Sequence, residues 1–204
     1  ARKSGQKTVR TFPVSHKSCG RIVHRLCGII YPSKVNRKSE LIGGNKMYIE
    51  KYWGNYIGGT DDSLTLLDYL IGKQKKEVTL KEIFADTGLD KLNWDFHISH
   101  NLEYTDAEGM EHEFYYAIDL ITDLAALMLE CSLNGSVSLR KLLDDEAGDN
   151  ICITYTEEEK NAMNKALADF VKEPLTYDLH EMVSDEDMQE MAQDCESLRK
   201  ELCE

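Results

Sequence analysis

Along this chain the spacing of hydrophobic and polar residues changes several times. Residues 48–53, Tyr-Ile-Glu-Lys-Tyr-Trp, are aromatic and β-favouring and predict a short strand. Gly54 and the pair Gly58-Gly59 then punctuate a loop. Beyond it Ser63, Leu66, Leu67, Leu70 and Ile71 recur at helical spacing, giving one apolar stripe. Thr60, Asp61 or Asp62 is placed to cap that helix, and Gly72 to end it, with Lys73, Lys75 and Lys76 near its negative end. Thr79 with Glu82 reads as a capping box that opens a short helix, Leu80 to Asp86, which Gly88 stops.

Strict alternation follows. Phe96, Ile98, His100, Leu102 and Tyr104 face one way; Asp95, His97, Ser99, Asn101 and Glu103 face the other. This predicts a strand, with a second one from Met110 to about Tyr116. Patterning pairs Tyr104 with Met110, Leu102 with His112 and His100 with Phe114, because a one-residue slip would move Phe114 to the polar face.

From Ala117 the period returns to helical. Ile118, Ile121, Leu124, Ala125, Met128 and Leu129 form a stripe that Leu120 and Leu127 widen, so this segment is the best candidate for a central helix, ended by Asn134-Gly135. Further elements are a helical turn or two over Ser138 to Leu143, an acidic loop from Asp144 to Asn150 and a strand from Ile151 to Tyr155. A second capping box, Thr156 with Glu159, opens a helix that Pro174 closes, and a last helix begins near Ser184 with Met188, Met191, Ala192, Cys195, Leu198 and Leu202 on its apolar face. The expected fold is α+β, a small antiparallel sheet packed against several helices in a single domain spanning residues 47–204.

Charge divides the chain. The whole carries −13, yet residues 1–46 hold 11 Lys/Arg against one Glu, and residues 47–204 hold 13 basic against 36 acidic side chains, a net −23. The basic leader is poor in periodicity and is expected to be disordered. The codons of Gly43-Gly44 can spell a ribosome-binding sequence just ahead of Met47, the first methionine, so the leader is also expected to lie outside the native protein. His16, Cys19, His24 and Cys27 supply four zinc-type ligands, but only four residues separate the two pairs. Finger spacings use about a dozen.

The acidic part would repel phosphates, which argues against nucleic acid and for a basic partner. No apolar run approaches the roughly 20 residues that span a bilayer, so no membrane segment is expected. Six cysteines without a CxxC pair or a secretory signal read as reduced thiols of a cytoplasmic protein, with Cys131 and Cys195 in the core.

Candidate chemistry is sparse. Gly58-Gly59 before Asp61 and Asp62 invites a phosphate loop, but there is no GxxxxGK[ST] pattern and two carboxylates already occupy the helix end. Capping is the first reading, and contact with a partner through Trp53, Tyr56, Asp61 and Asp62 the second. His100 and His112 fall on an apolar face and read as buried, hydrogen-bonded histidines. His97 with Glu111 and Glu113 on the polar face supports an alternative, a small metal- or His/Glu-dependent hydrolase. No nucleophile elbow, HExxH or dinucleotide fingerprint is present, so the primary expectation is no enzyme, no catalytic residue, no metal and no cofactor. A third reading uses the acidic last helix for pairing with another subunit. The pattern does not fix an oligomeric state.

Two stretches, Tyr52-Trp-Gly-Asn-Tyr-Ile-Gly-Gly-Thr-Asp-Asp-Ser-Leu-Thr-Leu-Leu-Asp-Tyr69 and Ala117-Ile-Asp-Leu-Ile-Thr-Asp-Leu-Ala-Ala-Leu-Met-Leu-Glu-Cys131, resemble the small acidic immunity proteins of bacterial polymorphic-toxin and contact-dependent inhibition loci. The resemblance covers much of residues 47–204 and none of 1–46. It implies a non-enzymatic cytoplasmic protein that binds and blocks one cognate toxin, often a nuclease. A basic nuclease would meet a domain of −23 favourably. The expected contact surface is Trp53, Tyr56, Asp61 and Asp62, with Asp144, Asp145, Glu146 and Asp149 as a second acidic patch.

Overall fold

The computed structural model describes residues 47–144 and 150–204. The basic leader, its His16, Cys19, His24 and Cys27, and the loop residues Asp145, Glu146 and Asp149 lie outside the described residues. In chain order the elements are α1 (Asp61–Gly72), β1 (Glu77–Thr79), α2 (Leu80–Thr87), β2 (Glu103–Thr105), β3 (Glu111–Glu113), α3 (Ala117–Asn134), β4 (Val137–Ser138), α4 (Leu139–Leu142), β5 (Asn150–Thr154), α5 (Glu157–Lys172) and α6 (Asp185–Cys203). The fold is α+β, in one domain.

Helix α3 is its axis. Every residue from Ala117 to Cys131 is buried. A helix buried along this whole length has no solvent face, so its Asp119, Asp123 and Glu130 need partners inside. It is enclosed by α1, α5, α6 and β5, and Gly135 ends it in the left-handed conformation at φ 77°. The caps follow local chemistry. Thr60 accepts from the Ser63 N–H and Ser63 returns a bond to the Thr60 N–H; Thr156 and Glu159 do the same for α5, and Ser184 caps α6. Thr79 accepts from the Glu82 N–H, but the Glu82 carboxylate turns away to Lys73 and Lys75.

Two small sheets accompany the helices. One has the order β1-β5-β4, the other is the hairpin β2–β3. The hairpin is antiparallel as expected; β4, for which no strand was expected, joins β5 antiparallel, and β1 joins β5 in parallel, with Val78 opposite Ile153. The three residues of β1 are too few to show a period in the sequence.

Three local expectations are corrected. Residues 48–51 form a 3-10 helix, not a strand. The Ile49 N–H donates to the buried Glu130 carboxylate at 2.8 Å, and Tyr52 and Trp53 close turns on the Ile49 carbonyl. A tertiary anchor overrides β propensity here. Of residues 95–104 only the last two lie in β2, because Asn93, Trp94 and Asn101 take positive φ and the Asp95 carboxylate caps the His97 N–H. Finally, Tyr104 pairs with His112 and Thr105 with Glu111, a shift of two from the expected register. The faces survive because two is the strand period.

Candidate partner-binding site

The segment from Met47 to Thr60 lies along one face of α3. Asp119, Asp123 and Glu130 are spaced by four and then seven residues, which brings all three to the same side of that helix. Glu130 accepts from the Ile49 N–H at 2.8 Å, and Asp123 accepts from the Gly58 N–H at 2.6 Å. The hydroxyl of Thr60 lies beside Asp119, and that of Ser63 beside Asp123. Asp62 completes the exchange: its carboxylate accepts from the Tyr115 and Tyr116 N–H groups, at 3.0 and 2.8 Å, just where α3 begins. The aromatic and glycine segment is thus fastened to the core by carboxylate-to-backbone bonds.

These acids are in an unfavourable medium. Burial raises Asp62 to about 6 and Asp123 to about 7, and burial with the neighbouring Asp123 and Asp62 raises Asp119 well above the usual carboxylate range. One oxygen each of Asp119 and Asp123 has no hydrogen-bond partner. Among the described residues no group of three or more His, Cys, Asp or Glu could hold a metal ion. The geometry of the cluster is that of a fastening, carboxylates turned onto backbone N–H groups.

The glycines here are required by contact. A Cβ on Gly58, at φ 72°, would sit 2.1 Å from the Trp53 ring, and one on Gly59 would sit 2.1 Å from the Asn55 carbonyl. Trp53 is half-buried against the core, and Tyr56 is buried, its hydroxyl donating to Asp187 at 2.8 Å and lying 3.1 Å from Glu190. Of the four residues expected at a contact surface, Asp61 is exposed, Trp53 is partly so, and Tyr56 and Asp62 serve the interior. Asp144 is exposed at the start of its loop.

The alternative His/Glu site does not assemble around its named base. His97 stacks on Tyr177 at 4.2 Å and hydrogen-bonds Asp95 at 2.8 Å, with Asp169 at 3.6 Å, whereas Glu111 and Glu113 project from β3. His100 is exposed, which corrects the expectation of a buried histidine. His112 is half-buried as a ring stacked on Tyr104 at 4.8 Å, with Asp106 at 3.0 Å from its Nε2.

The surface beside this fastening was not singled out by sequence. Helix α1 lies along the β2–β3 hairpin: its start holds the backbone of Tyr115 and Tyr116, and its end forms a cleft of about 710 Å³ with Tyr104 to Glu108 and His112. The outward stripe of α1 is Asp61, Leu64 and Asp68, all exposed. The outward face of the hairpin is Glu103, Thr105, Glu111 and Glu113, also exposed, with Met110 near its tip and Tyr115 at its end. Glu103 stands directly opposite Glu113, and among the described residues no basic side chain pairs with either. The signal for this face was present: glutamates alternate through Glu103, Glu111 and Glu113. Their common direction follows from strand parity, and the register adds that Glu103 stands opposite Glu113.

No helix among the described residues is long and apolar enough to cross a membrane. No curated protein and no solved structure shows significant similarity to the chain. A family model described as immunity protein 68 matches residues 48–202, from the 3-10 helix at Tyr48 to the last turn of α6. With three quarters of its length inside that match, the chain belongs to the immunity protein 68 family.

Proposed function

We propose that this protein binds and neutralises one cognate toxin, a basic nuclease, and does so in the cytoplasm as a stoichiometric inhibitor without catalysis. The observation that carries the reading is the charge of residues 47–204, −23, in a member of an immunity protein family. A nuclease groove must be basic to hold phosphate. An acidic protein approaches such a groove along its field, associates fast and covers it. Asp61, the exposed part of Trp53 and the acidic loop that begins at Asp144 are proposed to share in that contact.

The test begins at the native locus, where this gene is expected to lie beside that of a large secreted toxin. The C-terminal domain of that toxin, purified, should be retained by this protein and should lose nuclease activity at one-to-one stoichiometry. The association rate should fall steeply as ionic strength rises past 0.1 M, where the screening length is about 10 Å. An association rate independent of salt would remove the electrostatic mechanism, and absence of binding would remove the reading as a whole.

A further inference from the structure

We infer that the cleft between α1 and the β2–β3 hairpin is the anchoring site for a basic side chain, an arginine or lysine, of the toxin partner. The inference rests on the toxin-binding reading above and adds where the partner is gripped and by what chemistry.

Two features of this cleft converge. Its floor is aromatic: Tyr104 and His112 are stacked with planes 11° apart, and Tyr69 meets Tyr104 edge-on at 5.1 Å. Its rim is acidic: Asp68 stands exposed on one wall, and Asp106 on the other is held below the usual carboxylate range by its hydrogen bond to His112 and then by the Met110 N–H. A planar or ammonium cation over a ring with carboxylates around it is a favoured arrangement.

The chain itself demonstrates the chemistry at the inner end of the cleft. Lys73 places its ammonium 5.1 Å from the centre of the Tyr69 ring, is ion-paired to Asp86, and lies 3.1 Å from Glu82. Asp68, on the outer side, has no such cation among the described residues. The cleft holds one cation of its own and presents the groups for a second.

The opposite face of the hairpin, which does not line the cleft, carries further acidic charge. Like charges directly across a ladder are destabilising, yet Glu103 faces Glu113. An exposed pair of this kind costs little, and it adds acidic charge beside the cleft. Approach of a basic surface relieves this repulsion. Leu64, Met110 and Tyr115, each more than half exposed, supply apolar contact around the charged centre.

The experiment measures binding of the full chain to the C-terminal domain of the neighbouring secreted protein by surface plasmon resonance. Asp68→Lys should weaken binding at least about tenfold, mostly through faster dissociation, and Asp68→Asn by less. Glu186→Lys on α6, the same charge change away from the cleft, should alter affinity less than about threefold. Asp68 lies on the exposed face of α1, so the variants should melt like the wild type. Hydrogen exchange of the wild-type complex should show protection in residues 64–76 and 103–113. An arginine-to-glutamate change in the toxin that restores binding to Asp68→Lys would establish the pair.

The inference is overturned if Asp68→Lys binds like the wild type, if Glu186→Lys weakens binding equally, or if protection falls elsewhere. In each of these cases toxin binding itself stands. If the wild-type protein does not bind the domain at all, both readings fall.

Discussion

Two sets of carboxylates divide the acidic excess of this protein. Asp62, Asp119, Asp123 and Glu130 are buried and take backbone N–H groups or hydroxyls as partners, while Asp61, Asp68, Glu103, Glu111 and Glu113 are exposed along α1 and the hairpin. Asp61 and Asp62 are adjacent, and one belongs to each set. The side chains are the same or nearly so; the surroundings differ. A buried carboxylate must be hydrogen-bonded or protonated, and its cost is offset by the backbone groups it satisfies. An exposed one is hydrated, contributes little to stability, and is available to a partner.

The comparison is tested most severely at the adjacent pair. Asp62→Ala should destabilise by about 3 kcal/mol, because the Tyr115 and Tyr116 N–H groups lose their acceptor. Asp61→Ala should change stability by less than about 0.5 kcal/mol. Chemical denaturation of the two variants checks this directly, and equal effects would collapse the distinction.

The next effect is the response to pH. Burial raises Asp62 and Asp123 above the ordinary range, to about 6 and about 7. The folded state therefore binds more protons than the unfolded chain between about 4 and 7, so stability falls as pH rises through that window. Lowering pH from 8 to 5 should stabilise the protein by about 2 kcal/mol, read as a higher midpoint in urea. A smaller change follows from Asp123→Asn, which can still accept from the Gly58 N–H but cannot ionise. It should stabilise by about 1 kcal/mol at pH 8 and flatten the pH response.

The smallest effect lies on the exposed side. Changing Glu103 and Glu113 together to glutamine should stabilise by a few tenths of a kcal/mol, about the value of relieving a cross-strand repulsion. The same double change should slow association with the toxin domain. Gain in stability with loss of binding separates an outward-facing set from a structural one.

The long periodic segments were readable in advance. The helix after Thr60, the central helix from Ala117, and those opened by Thr156 and Ser184 each combine a cap with a sustained stripe. Cys131 and Cys195 are buried as their spacing implied, and burial raises both thiols, Cys131 to about 12. Short segments were less legible. Residues 48–51 have strand composition but are fixed by Glu130, some 80 positions away in the chain. The hairpin kept its faces while its register moved, because the pattern specifies parity and the loop specifies pairing. Within the candidate site, Asp61 was legible as an exposed helix-start acid, whereas Tyr56 and Asp62 could not be assigned to the interior until α6 and the start of α3 came against them.

By itself the sequence determined the fold class, the central helix, the caps and the segregation of charge, since each depends on residue type and local spacing. Only the tertiary structure decided which acids are fastenings and which are surface. That depends on the distance of each carboxylate from backbone groups remote in the chain. The stretch from Trp53 to Asp62 shows both: its glycines and caps are local, but Gly58 is held by Asp123 and Asp62 holds Tyr115 and Tyr116 only after α3 has packed beneath them.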